Sequence, residues 1–310
     1  MTRILLLLLL LPFLCFSSGC RTLRKNRQTK NLGAARQLSL RGAALLQQEH
    51  YEEATPVFAE ALRLSPADER AQWGMAEVLW REGQREEAIQ HQMQAIKLSG
   101  QNPDLLVRLG EMHLEQGNIA EAMQQVEAAL HKNRQHESAW ALKGRICRTE
   151  GRNQEALNYY HLAMIYNPNN FDARIAVADI YRDIGKPQRA LATIEWLADS
   201  HIESLPARAW MLKGQALADL DQPLDANQCM KEAMLCANDD NELLLELAEL
   251  QFNKGNLADA RICLGRALQN NPNNPHALHL QQAFDHRATR VPGMMATGPI
   301  MQRRENRPAN

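Results

Sequence analysis

The sequence predicts an all-α fold, a solenoid of stacked helical hairpins, and three observations carry that expectation. Small residues recur every 34 positions: Gly83, Gly117, Gly151 and Gly185 form one series, and Ala54, Ala88, Ala122 and Ala156 another. Between them apolar residues follow the helical period, as in Leu105, Leu106, Leu109, Met112 and Leu114. The composition agrees, with aromatics at only 5% and Ala, Leu, Gln and Glu abundant. Self-similarity at a fixed period of this length is the mark of a repeat array rather than of a single globular core.

The chain opens with Arg3 and an apolar run from Ile4 to Phe16 that is broken only by Pro12. Thirteen helical residues span roughly 20 Å against a hydrocarbon core of ~30 Å. The run therefore reads as the apolar region of a secretion signal over residues 1–19, not as a stable transmembrane helix. It closes on Ser17, Ser18, Gly19 and Cys20. Small residues before a cysteine resemble the bacterial lipobox, although Ser17 stands where that motif usually has Leu. The resemblance implies that Cys20 is acylated and becomes the mature N-terminus, anchored in a membrane and facing the periplasm. Ordinary cleavage would instead release a soluble periplasmic protein, and retention of the segment would leave it as an anchor. Residues 20–34, with Arg21, Arg24, Lys25, Arg27 and Lys30, are expected to form a flexible basic linker.

Charge is distributed unevenly. Residues 1–36 hold seven Arg or Lys and no acid, whereas residues 37–288 hold 24 bases against 35 acids, a net of −11. Phosphate binding needs a basic face, so the acidic body excludes nucleic acid as its partner.

Seven hairpins follow, over residues 35–68, 69–102, 103–136, 137–170, 171–204, 207–240 and 241–274. A Gly ends most first helices, because it takes the left-handed cap without a Cβ penalty. Second helices stop at turns such as Asn167-Pro168-Asn169-Asn170 and Asn271-Pro272-Asn273-Asn274. Two further columns stay small: Gly42, Ala76, Gly110, Gly144, Ala178, Gly214 and Ala248, then Ala61, Ala95, Ala129, Ala163, Leu197, Ala233 and Ala267. Small residues in one helix let the other approach closely. The fifth and sixth repeats depart from this pattern. Pro187 and Pro223 follow their first helices, Asp221 replaces the capping Gly, and Leu205 and Pro206 are inserted. Residues 275–288 are expected to form a polar-faced capping helix, and 289–310 a disordered tail rich in Pro, Gly and Arg.

Trp140, Gly144, Gly151, Ala156, Tyr160, Ala163 and Pro168 stand where the tetratricopeptide repeat places its Trp, Gly, Gly, Ala, aromatic, Ala and Pro. Residues 35–274 resemble that family in seven repeats. The resemblance implies a right-handed superhelical α-solenoid whose first helices line a concave groove for an extended peptide or a partner helix. The groove residues it implies are Trp73, Trp80, Val107, Leu114, Ile175, Met211, Leu245 and Phe252. Trp73 and Trp80 are seven apart and so share a helix face, beside Val107 and Leu114, in an apolar patch rimmed by Glu77 and Glu111. These aromatics could equally serve packing between helices.

Catalytic chemistry is not visible. No phosphate-binding Gly loop, His-Glu-x-x-His helix or nucleophile elbow occurs. His276, His279 and His286 share one helix face without a further nearby ligand, so no metal is expected. The sequence contains no Cys-x-x-Cys, and Cys147, Cys229, Cys236 and Cys263 read as small apolar residues. The expected protein is a non-catalytic, cofactor-free scaffold that holds partner proteins at the cell envelope. The alternative is a lipoprotein that assembles a pilus, secretion or outer-membrane complex.

Overall fold

A computed structural model describes residues 30–199, 205–237 and 240–290, and every regular element among them is an α-helix. The signal at 1–19, the acylation site Cys20, the linker up to residue 29 and the tail beyond residue 290 lie outside the described residues. In chain order the helices are α1 (30–47), α2 (Tyr51–Leu64), α3 (Glu69–Arg81), α4 (Arg85–Leu98), α5 (Pro103–Glu115), α6 (Ile119–Lys132), α7 (Glu137–Thr149) and α8 (Asn153–Tyr166). They continue as α9 (Phe171–Asp183), α10 (Pro187–Asp199), α11 (Ala207–Asp219), α12 (Pro223–Cys236), α13 (Asn241–Asn253), α14 (Leu257–Asn270) and α15 (Pro275–Arg290). Helix α1 starts inside the stretch expected to be linker, and α15 runs two residues past 288.

The two kinds of connection are built differently. At the hairpin tips the backbone turns through one left-handed residue: Glu49, Gly83, Gly117, Gly151, Gly185, Asp221 and Gly255 all have positive φ. There Gln84 N–H donates to Leu79 O at 2.9 Å and Asn118 N–H to His113 O at 2.9 Å, closing the last turn of the first helix. The second helices accordingly start without a side-chain cap, as at Gln84, Asn118 and Arg152. Between hairpins the side chains do this work. Asp68, His136 and Asp240 accept from Ala71, Ala139 and Leu243 N–H, and Asn102 accepts from Asp104 N–H.

The small columns lie where helices touch. Ala54, Ala88, Ala122, Ala156 and Ala260 are fully buried, as are Ala61, Ala95, Ala129, Ala163, Ala233 and Ala267. A Cβ on Gly214 would stand 2.9 Å from Ala226 O, and one on Gly110 would stand 3.3 Å from Ala122 O. Glycine at these sites allows the first helix to lie directly on the backbone of the second. Leu197 replaces Ala in its column and is itself fully buried.

The chain divides into two compact units, Met1–Arg174 and Ile175–Asn310. In the first, one apolar cluster gathers around Phe58, Val78 and Trp80 and another around Leu106, Val126 and Ile146. The core of the second centres on Met211, Met230, Leu244 and Leu247 and is closed by Ala277, Leu280 and Phe284 of α15. Cys147, Cys229 and Cys263 are buried free thiols, and burial pushes the Cys263 thiol up to about 11.

Candidate partner-binding surface

The expected groove column is largely core. Trp80, Val107, Ile175, Met211 and Leu245 are buried. Val107 sits in one cluster with Leu142 and Ile146 of α7, and Met211 and Leu245 share a cluster in the second unit. Val107 thus points into the next first helix and not into open space. Phe252 is half-buried, its ring 4.5 Å from that of Phe284 on the capping helix. Trp73 and Leu114 are also half-buried and border the same apolar cluster.

The two tryptophans of α3 have different roles. The Trp80 indole N–H donates to Glu115 Oε2 at 3.0 Å, and the Arg85 guanidinium lies 4.0 Å from its ring centroid. Packed and capped by charge, Trp80 offers no face to a partner. Trp73 instead lines a cavity of about 440 Å³ together with Ala43, Leu46 and Gln47 of α1, Tyr51 of α2, and Glu77 and Arg81 of α3. The cavity floor is aromatic and aliphatic, with Arg81 held over the Tyr51 ring at 5.7 Å. An apolar anchor of a partner fits such a recess, and buried anchors dominate interface energies.

The acids expected to rim an apolar patch are engaged. Arg108 grips Glu77 with both arms, at 2.7 and 2.8 Å, and reaches Glu111 at 3.4 Å and Glu115 at 3.8 Å. Arg145 then meets Glu111 at 3.3 Å. A ladder of alternating charge thus crosses α3, α5 and α7. Burial works against the Arg108 guanidinium, but the Glu77 hydrogen bonds and the charges of Glu77, Glu111 and Glu115 outweigh it and raise its pKa. Glu77 is only 18% exposed, so the pair is shielded from solvent and its geometry is fixed. The Trp73 recess lies beside this ladder, with Glu77 in its lining. Ala43, Gln47, Tyr51 and Arg81 were not legible as site residues, because they come from three helices that meet only on folding.

Among the described residues no group of three or more side chains could hold a metal ion, and His276 Nε2 instead meets Glu249 at 2.7 Å. Nor is any described helix long and apolar enough to cross a membrane.

Models of the tetratricopeptide repeat match residues 45–91, 82–146, 139–170 and 176–233, together more than half of the chain. The chain belongs to the tetratricopeptide-repeat family. Solved tetratricopeptide and related structures share the fold. A tetratricopeptide repeat protein from Parabacteroides merdae is 13% identical, with a TM-score of 0.64, over 82% of this chain and 99% of that one. Pseudomonas aeruginosa pilF is 18% identical, with a TM-score of 0.58, over 72% of this chain and 99% of its own. PilW, a widely conserved type IV pilus biogenesis factor, is 19% identical, with a TM-score of 0.57, over 65% of this chain and 92% of its own. No curated protein matches the sequence. Tetratricopeptide-repeat arrays are protein-interaction scaffolds, with extended surfaces built from successive repeats.

Proposed function

We propose that this tetratricopeptide-repeat protein is an envelope-tethered adaptor, anchored through a lipid on Cys20, that catalyses nothing and holds partner proteins on the first-helix face of its N-terminal unit. The Trp73 recess is the observation that carries the reading: an apolar floor of Leu46, Tyr51 and Trp73 beside polar Gln47, Glu77 and Arg81. An extended segment or helix with one apolar anchor suits it. A narrower role, assembly of a pilus, secretion or outer-membrane complex, draws support from the fold shared with PilW.

The test separates the two tryptophans. Trp73→Ala should leave the helical circular-dichroism signal and melting temperature nearly unchanged and should deplete the proteins that co-purify from detergent-solubilised envelope. Trp80→Ala, which removes a buried ring, should lower stability by about 3 kcal/mol. Unchanged co-purification with Trp73→Ala would move the binding surface elsewhere. In the same cells, labelled palmitate should enter the wild type and not Cys20→Ser. Equal labelling of the two would remove the lipid anchor from the proposal.

A further inference from the structure

Helix α1 differs in charge from every other part of the fold. The first acid in the sequence is Glu49, so residues 30–47 hold Lys30, Arg36 and Arg41 and no carboxylate, at the head of a body that is strongly acidic. All three cations are exposed, and none makes an ion pair with a described residue. Asp68 and Glu69 border a recess shared with Leu32 and Arg36, but Asp68 is committed to capping α3 through Ala71 N–H, and Arg70 stands beside them.

Leu40, 49% exposed, lies on the outward arc of α1 between Arg36 and Arg41, and Leu32, 61% exposed, lies at its edge about half a turn from Arg41. In the repeat register Leu40 corresponds to Gly74, Arg108, Leu142, Ala176, Leu212 and Glu246, of which Gly74 and the two leucines are buried. Leu142 reaches its place by packing on the preceding first helix, 2.9 Å from where a Cβ on Gly110 would stand. No described hairpin precedes α1, so Leu40 faces outward. The ends of repeat arrays are normally closed by polar faces. At the other end the exposed residues of α15 are mainly polar, His276, His279, Gln281, Gln282 and Asp285, with Leu278 40% exposed among them. Leucines flanked by Lys and Arg, with no acid among them, are the composition of a helix that lies on an anionic bilayer.

We infer that the outer face of α1, with Lys30, Arg36, Leu40 and Arg41 and with Leu32 at its edge, docks on an anionic phospholipid surface. A second copy of the chain is disfavoured as occupant, because a symmetric contact would set these three cations against their equivalents. The inference rests in part on the lipid anchor proposed above. Lys30 lies ten positions beyond Cys20, and that stretch spans at most roughly 35 Å. An acylated Cys20 therefore keeps α1 within reach of the headgroups. Docking would fix the orientation of the first hairpins instead of leaving them free on a leash.

The test uses the full chain carrying Cys20→Ser, so that its outcome does not depend on acylation. Flotation with phosphatidylcholine vesicles measures the background from the apolar run 4–16, and vesicles containing phosphatidylglycerol measure the anionic contribution. Each cation near such a surface is worth about fivefold in partitioning, so Lys30→Glu, Arg36→Glu and Arg41→Glu together should reduce the phosphatidylglycerol-dependent binding by on the order of a hundredfold or more. Leu32→Gln with Leu40→Gln should weaken it further, and added salt should weaken the wild type. The helical signal of the variants should be unchanged, since all five side chains are exposed. Three results would overturn the inference: the charge-reversed variant binding like the wild type, the anionic component vanishing only when Arg24, Lys25 and Arg27 are reversed, or self-association of the wild type that the α1 reversals abolish.

Discussion

Ala122→Arg is expected to unfold the middle of the first unit, at a cost of about 5 kcal/mol or more. Ala122 is fully buried in the cluster shared by α5, α6 and α7, and its carbonyl oxygen lies against Gly110 of the facing helix. An arginine there has neither space nor a carboxylate, so it must part the hairpin or bury an unpaired charge. Gln124→Arg, two residues on and exposed, supplies the control and should be nearly neutral. Thermal melts followed by circular dichroism compare the two. Equal melting temperatures for Ala122→Arg and the wild type would refute the packing of α5 on α6.

Phe58→Ala should cost about 4 kcal/mol. The Phe58 ring has no exposed surface and is wedged between two glycines of different helices. A Cβ on Gly42 would come within 2.6 Å of it, and one on Gly74 would come closer still. Gly42 belongs to α1 and Gly74 to α3, so this one ring joins the first two hairpins. Gly74→Ala should destabilise as well, by about 1–3 kcal/mol, because the rigid ring has nowhere to retreat. Chemical denaturation of Phe58→Leu, Gly74→Ala and their combination should show strong coupling, the double variant costing less than the sum of the singles. Strict additivity would mean that the ring and the glycine do not press on each other.

The fold was legible because close helix packing demands small residues at particular places, and those demands repeat. Ala88, Ala122 and Ala156 announce the interface without any knowledge of what lies across it. The left-handed tips were legible wherever Gly marks them. Glu49 takes the same conformation with no such mark, and at Asp221 the sequence showed only that the usual Gly was missing. The proposed binding surface was legible only in outline. Trp73 and Trp80 occupy one helix face seven residues apart, and periodicity alone cannot tell which lies under a neighbour. What distinguishes them is Arg85 and Glu115 closing over Trp80, from helices one and two further along the chain. The pairing of the acids was not legible for the same reason: the partners of Glu77 and Glu111 are Arg108 and Arg145, 31 and 34 residues away, and that pairing is set by how the repeats stack.

Among the described residues, the helix pairs with substantial contact, such as α3 with α4 or α5 with α7, are one or two apart in chain order. Contact order is therefore low, and each loop that must close on folding is short, which favours rapid folding that can start at any hairpin and spread. The same locality means that the chain need not unfold all at once. A terminal hairpin can fray while its neighbours stay intact, and amide protons of α1 and α15 should exchange ahead of those in α5–α7. Heating such a chain reads out a sequence of partial openings, so a single melting midpoint averages over segments that part company at different temperatures.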